Sequence, residues 1–146
     1  MAGPYVYQNP MSLVGRPYVA DVANNYLGQC VSLVKHFIPG LQNRSTSSWI
    51  EGDNVVDTLR NGGSIPIGTA IATFRNGRFI SGSGHACFYA GFSNTAGNLR
   101  IIVVDQYLGG QPSGGIISRP LRCLGKNANG NYVNPSNNAE AFSVII

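Results

Sequence analysis

Charge is scarce in this sequence. Asp, Glu, Lys and Arg together make up 11% of its 146 residues, against about a quarter in ordinary soluble domains. Long apolar runs are missing too: none approaches the ~18 residues of a spanning helix, so no membrane span is expected. The first fourteen residues have no basic cluster ahead of an apolar core, which argues against a secretory signal peptide. The ten basic residues form no run or stripe, and a net charge of +4 gives a nucleic-acid partner little support. There is no HExxH, no phosphate-binding glycine loop and no cluster of His and carboxylates at ligand spacing. No metal or other cofactor is expected. Cysteine is rare as well. Cys30, Cys87 and Cys123 are odd in number and lack CxxC spacing, so at least one is unpaired; a Cys87–Cys123 bridge is one option the count leaves.

What is present is glycine, 19 residues of it, with Asn, Ser, Val, Ile and aromatics. That bias favours strands and turns over helices, and the length fits one domain spanning 1–146. Pro4, Pro10 and Pro17 make the first twenty residues irregular. Cys30, Val34 and Phe37 follow i, i+4, i+7 spacing, which predicts a short helix over 30–38 ended by Pro39-Gly40. Trp49 opens or caps a second helical stretch, and Asp53–Leu59 reads as another short helix. Strands are predicted for 69–74 and 78–80 around the Asn76-Gly77 turn, then for 85–92, 99–106 and 116–121. Residues 109–115 form a loop and 126–138 a polar excursion. A last strand, 139–146, is apolar on both faces and therefore internal. Helices first and antiparallel strands after predict an α+β domain, with the helices on one side of the sheet.

The chemistry gathers around a thiol. A cysteine attacks carbonyls as thiolate, and a helix amino terminus and a nearby imidazole both lower its pKa. Cys30 sits in a first helical turn behind Gly28-Gln29, where glycine permits close approach of a substrate. On its own it reads more readily as an inert buried thiol packed beside Val34 and Phe37. His85 follows Ser81-Gly82-Ser83-Gly84 and opens an apolar strand, as suits a base at the mouth of a sheet. His36, mid-helix beside Lys35, reads as structural. If strands 85–92 and 99–106 pair, His85 meets Asp105, Gln106 or Tyr107, depending on register. A carboxylate or amide there would hold the imidazole in its useful tautomer. A one-residue slip exchanges Asp105 for Gln106, and two apolar faces leave the register open.

Three blocks, Gly28-Gln29-Cys30-Val31-Ser32-Leu33-Val34, Gly84-His85-Ala86-Cys87-Phe88 and Ile102-Val103-Val104-Asp105-Gln106-Tyr107, resemble the signatures of CHAP and NlpC-type amidases. These are papain-like peptidoglycan hydrolases, and the blocks keep the family's order across about residues 28–107. The short length and the Asp-Gln-Tyr variant resemble, more narrowly, the amidase effectors of bacterial type VI secretion. The resemblance implies Cys30 as nucleophile, His85 as general base and acid, and Asp105 as orienter. Gln29 would help the Cys30 backbone N–H bind the oxyanion, and Gln106 is the other candidate for orientation or substrate binding. Tyr107 stands where many relatives have Asn. The resemblance also implies a peptidoglycan peptide substrate, an immunity protein as partner, and action in the periplasm of a target bacterium. Residues alone leave two rivals: a cysteine acyltransferase or deamidase, and a wall-binding module whose Cys30 is structural.

Overall fold

The computed structural model describes residues 4–107 and 114–146, so most of the predicted 109–115 loop lies outside the described residues. Helix α1 spans Cys30–Phe37. Gln29 precedes it with extended backbone, and Lys35 and His36 occupy the last turn, where positive charge suits the helix dipole. Ile38 is extended because the ring of Pro39 disfavours helical backbone in the residue before it. Ser32, Leu33 and Val34 form the buried face.

The described residues build one antiparallel sheet of seven strands: β1 (Glu51–Asn54), β2 (Ala70–Arg75), β3 (Arg78–Phe79), β4 (Ala86–Thr95), β5 (Asn98–Asp105), β6 (Ile117–Arg122) and β7 (Phe142–Ile145). Their order is β1-β7-β2-β4-β5-β6, with β3 folded back on β2. Arg75 pairs with Arg78 around Asn76 and Gly77, both at positive φ, as a two-residue hairpin of the primed kind requires. The α+β class and antiparallel sheet expected from the sequence are what the chain forms.

Alternation along the strands splits the core in two. Ala70, Ala72, Phe74, Ala86, Phe88 and Val104 face α1 and pack with Leu33, Val34, Leu41 and Trp49. Ile71, Cys87, Tyr89, Ile101 and Val103 face the other way, onto Val55, Val56 and Phe142. The expectation of helices on one side is therefore corrected. Helix α2 (Val55–Arg60) covers the opposite face from α1, because strands apolar on both sides need cover on both.

Smaller corrections follow from local chemistry. Helix α2 starts at Val55, two residues later than predicted, since the Asn54 side chain caps it by accepting from the Asp57 N–H at 3.0 Å. Residues 51–54 before it pair with β7 instead. Trp49 closes a 3-10 turn, Thr46–Ser48, rather than a longer helix. Strand β7 begins at Phe142, after a 3-10 turn at Ala139–Ala141, and lies inside the sheet between β1 and β2. The cysteines are free thiols. Cys87 lies on β4 and Cys123 directly follows β6, with β5 between those strands; two strand spacings, roughly 9.5 Å, exceed the Cα separation a disulfide spans.

Candidate active site

The site forms where the first turn of α1 meets the ends of β4 and β5. Strand register decides which side chains meet. Phe88 pairs with Val104, and carrying that register on sets Cys87 against Asp105. His85, two residues before Cys87, shares its face and lies diagonal to Asp105, within side-chain reach. His85 Nε2 donates to Asp105 Oδ2 at 2.7 Å, which leaves Nδ1 for the Cys30 sulfur. The thiol is hydrogen-bonded to the His85 side chain and receives the N–H groups of Ala86 and Val31. His85 and Asp105 are almost fully enclosed, at 4% and 0% exposure.

Burial and pairing oppose each other at all three groups, and pairing wins. Burial raises the Cys30 thiol, but the hydrogen bond and charge of His85, helped by the Ala86 and Val31 amides, bring it below its ordinary 9.0. Burial lowers His85, yet its bonds to Asp105 and then Cys30 lift it from 6.5 to about 9. Burial raises Asp105, while His85 and Arg119 hold it below 3.8. Both shifts favour a thiolate beside an imidazolium, the arrangement that makes a cysteine sulfur reactive.

Gln106 points the other way, and the register open in the sequence is resolved by its surroundings. Its Nε2 donates to the carbonyls of Val19 and Gln29 at 2.8 and 2.9 Å, and its Oε1 accepts from the Val19 N–H at 2.9 Å. Fully buried, it is not among the cleft's lining residues, and its bonds go to backbone rather than to the imidazole. It fixes Gln29, the residue that precedes Cys30, instead. Gln29 is exposed on the cleft wall with no capping hydrogen bond on its side chain. Gly28 adopts φ 80, the left-handed turn into α1 that glycine takes without strain. His36 donates Nδ1–H to the Ala20 carbonyl at 2.8 Å, away from the cleft.

Gly84 is required for closeness rather than pliability. A Cβ there would stand 1.9 Å from the Ile80 carbonyl oxygen and 2.6 Å from Thr73 Oγ1. The same Thr73 hydroxyl accepts the His85 N–H at 2.9 Å, so the tight packing at Gly84 sets the height of His85.

Sequence reasoning missed Arg119. From β6 it donates Nε–H to Asp105 Oδ2 at 2.7 Å and one NH1 hydrogen to Asn137 Oδ1 at 2.7 Å. The polar excursion thereby reaches the site, and Ser136 adds a bond from its hydroxyl to the Ser83 carbonyl at 2.7 Å. Cys30, His85, Gln29, Tyr107, Phe79, Arg119, Ser136 and Asn137 are among the walls of one open cleft of ≈ 690 Å³. Among the described residues no group of His, Cys, Asp and Glu is placed to hold a metal, and none of the described helices is long and apolar enough to cross a membrane.

The family model described as domesticated amidase effector 2 matches residues 4–145. The chain belongs to the amidase effector 2 family. The type VI secretion amidase effector 2 protein of Salmonella typhi is 34% identical over 147 residues, covering 97% of this chain and 98% of that protein. A solved structure of type 6 secretion amidase effector 2 (Tae2) superposes with a TM-score of 0.75 at 31% identity, over 98% of this chain and 94% of the other. Membership makes the protein an amidase and its sheet a papain-like one. The match extends through the carboxy-terminal forty residues, where the signature blocks give no guidance and where Arg119 and Asn137 reside.

Proposed function

We propose that this amidase effector hydrolyses an amide bond in the peptide part of bacterial peptidoglycan, with Cys30 as nucleophile, His85 as acid and base, and Asp105 as orienter. The observation that supports it is the unbroken chain of hydrogen bonds from sulfur to imidazole to carboxylate at the wall of an open cleft. The thiolate attacks the carbonyl carbon, a C–S bond forms and the π electrons move to oxygen. The Cys30 backbone N–H at the start of α1 and the Gln29 side-chain amide are the donors next to that oxygen. As the C–N bond breaks, the His85 imidazolium gives its proton to the leaving amine. Neutral His85 then takes a proton from water, which attacks the thioester and releases the acid and the thiolate. Asp105 keeps Nε2 protonated and Nδ1 turned to the sulfur throughout.

The relatives' names carry type VI secretion, which supports delivery by such a system; in this reading the enzyme meets its substrate in the periplasm of a target bacterium. A producer that meets its own enzyme needs a cognate immunity protein to occlude the cleft. Digestion of defined muropeptides by wild type and Cys30→Ala, followed by mass spectrometry, tests the reading. Wild type should release a peptide one water heavier in sum than its substrate, and Cys30→Ala should release none. Cleavage by Cys30→Ala at the wild-type rate removes the mechanism, and products joined to an added amine would indicate acyl transfer instead.

A further inference from the structure

Strands β5 and β6 bring two arginines face to face. Arg100 pairs directly with Arg122, both exposed, which places their Cβ atoms about 5 Å apart. Like charges so opposed destabilise a sheet, and nothing among the described residues relieves them. The ion pairs there are Arg60 with Glu140 and Asp105 with His85 and Arg119. The other carboxylates of the six lie on the loop before α1 (Asp21), on β1 (Glu51, Asp53) and on α2 (Asp57). Arg100 and Arg122 wall a groove of ≈ 560 Å³ between the outer edge of β6 and the loop carrying Asn134 and Asn137. Arg119 and Asn137 line this groove and the cleft at Cys30 alike, so the two adjoin along a shared wall.

We infer that this groove is an anion subsite that takes a carboxylate of the substrate peptide beyond the amide being cut. The inference rests on the peptidoglycan reading above and adds where a second part of that substrate docks. Guanidinium forks match carboxylates in geometry as well as charge, and a repelling pair gains most from an anion set between its members. Strand β6 advances ~3.3 Å per residue, so Arg122 lies roughly 17 Å along the sheet edge from Ile117 in the cleft. An extended peptide of about five residues covers that distance, the scale of a stem peptide with its cross-linked neighbour and their free carboxylates.

Two cross-linked muropeptides, one with its terminal carboxylate free and one with it amidated, test this against Cys30→Ala protein, which holds them uncut. The free acid should bind about tenfold more tightly than the amide, with an advantage that shrinks as salt rises and vanishes in Cys30→Ala carrying Arg100→Gln and Arg122→Gln. In the active enzyme the same arginine pair of substitutions should raise KM for the free acid about tenfold and leave kcat unchanged, because neither side chain reaches Cys30 or His85. The double variant should melt at or above the wild-type temperature, since it loses a repulsion. Equal binding of both muropeptides overturns the subsite alone. Binding of neither removes the peptidoglycan reading itself. A glycerol-phosphate polymer held more tightly than either muropeptide, and lost on the double substitution, would overturn the assignment in favour of a phosphodiester wall polymer.

Discussion

Replacing Asp105 by Asn keeps shape and one acceptor but removes the charge that holds the imidazolium. His85 rises from 6.5 to about 9, worth about 3 kcal/mol between its two protonation states. The Asp105 bond is first among the raising influences, and burial, which lowers, stays in place without it. Arg119, now 2.7 Å from the carboxylate, would also face the ring with no negative charge between them. If Asp105 supplies about half of the rise, its loss moves the alkaline limit of activity down by more than one unit. The assay is the pH dependence of kcat/KM and, in parallel, of Cys30 carbamidomethylation under pseudo-first-order reagent. Wild type should hold its ion pair up to about 9; Asp105→Asn should lose it below pH 8, with kcat down on the order of 10²–10⁴-fold from lost orientation. An alkaline limb that stays in place would refute the assignment of Asp105. Stability carries the same signature. His85, raised on folding, contributes fully below pH 6.5 and ceases to as pH climbs through about 9. Cys30, lowered on folding, runs opposite, contributing fully above 9.0 and fading as pH falls through its folded value.

Gly84→Ala should lower kcat at least 100-fold, since a shift of about 1 Å at the base is that costly, and should lower the melting temperature; wild-type activity in this variant would refute the packing account of Gly84. Gln106→Leu leaves the Val19 N–H without its partner and takes one of two donors from each of the Val19 and Gln29 carbonyls, on the order of 1–3 kcal/mol, or roughly 5 °C in thermal midpoint by calorimetry. Its pH limbs should stay where they are, which separates it from Asp105→Asn. Iodoacetamide at pH 7 should label Cys30 first, Cys123 slowly and Cys87 only on unfolding, because burial raises the latter two thiols; mass spectrometry of tryptic peptides reads the order.

Cys30, His85 and the elements that carry them were legible because helix spacing at Cys30, Val34 and Phe37 and the glycine before His85 are local signals. The choice between Asp105 and Gln106 was not. It depends on strand register, and Ile101–Val104 offers apolar side chains to both faces. The structure divides the two residues between the faces, Asp105 bonded to His85 and Gln106 to the turn into α1. Arg119 was invisible for the same reason: its partner is a diagonal neighbour across β5 and β6, and no local pattern marks it. Strand β1 has no alternation at all in Glu51-Gly52-Asp53-Asn54. It exists because β7 presents a ladder to pair with, seen in the mutual bonds of Ile50 and Ile146 at 3.2 and 3.0 Å. The polar stretch 126–138 is ordered by Asn138, buried and bonded to Leu124, Gly125, Val133 and Glu140, a tertiary clasp that composition reads only as loop.

The insertion of β7 between β1 and β2 has a kinetic consequence. Ile71 pairs with Val144, partners more than seventy positions apart, so the sheet closes only when a long and flexible loop has done so. The hairpin of β4 and β5 can zip early from its own turn, whereas the β1 side must wait for the far end of the chain. Such high contact order places folding in the millisecond-to-second range, an interval in which Cys30, His85 and Asp105 are not yet held together.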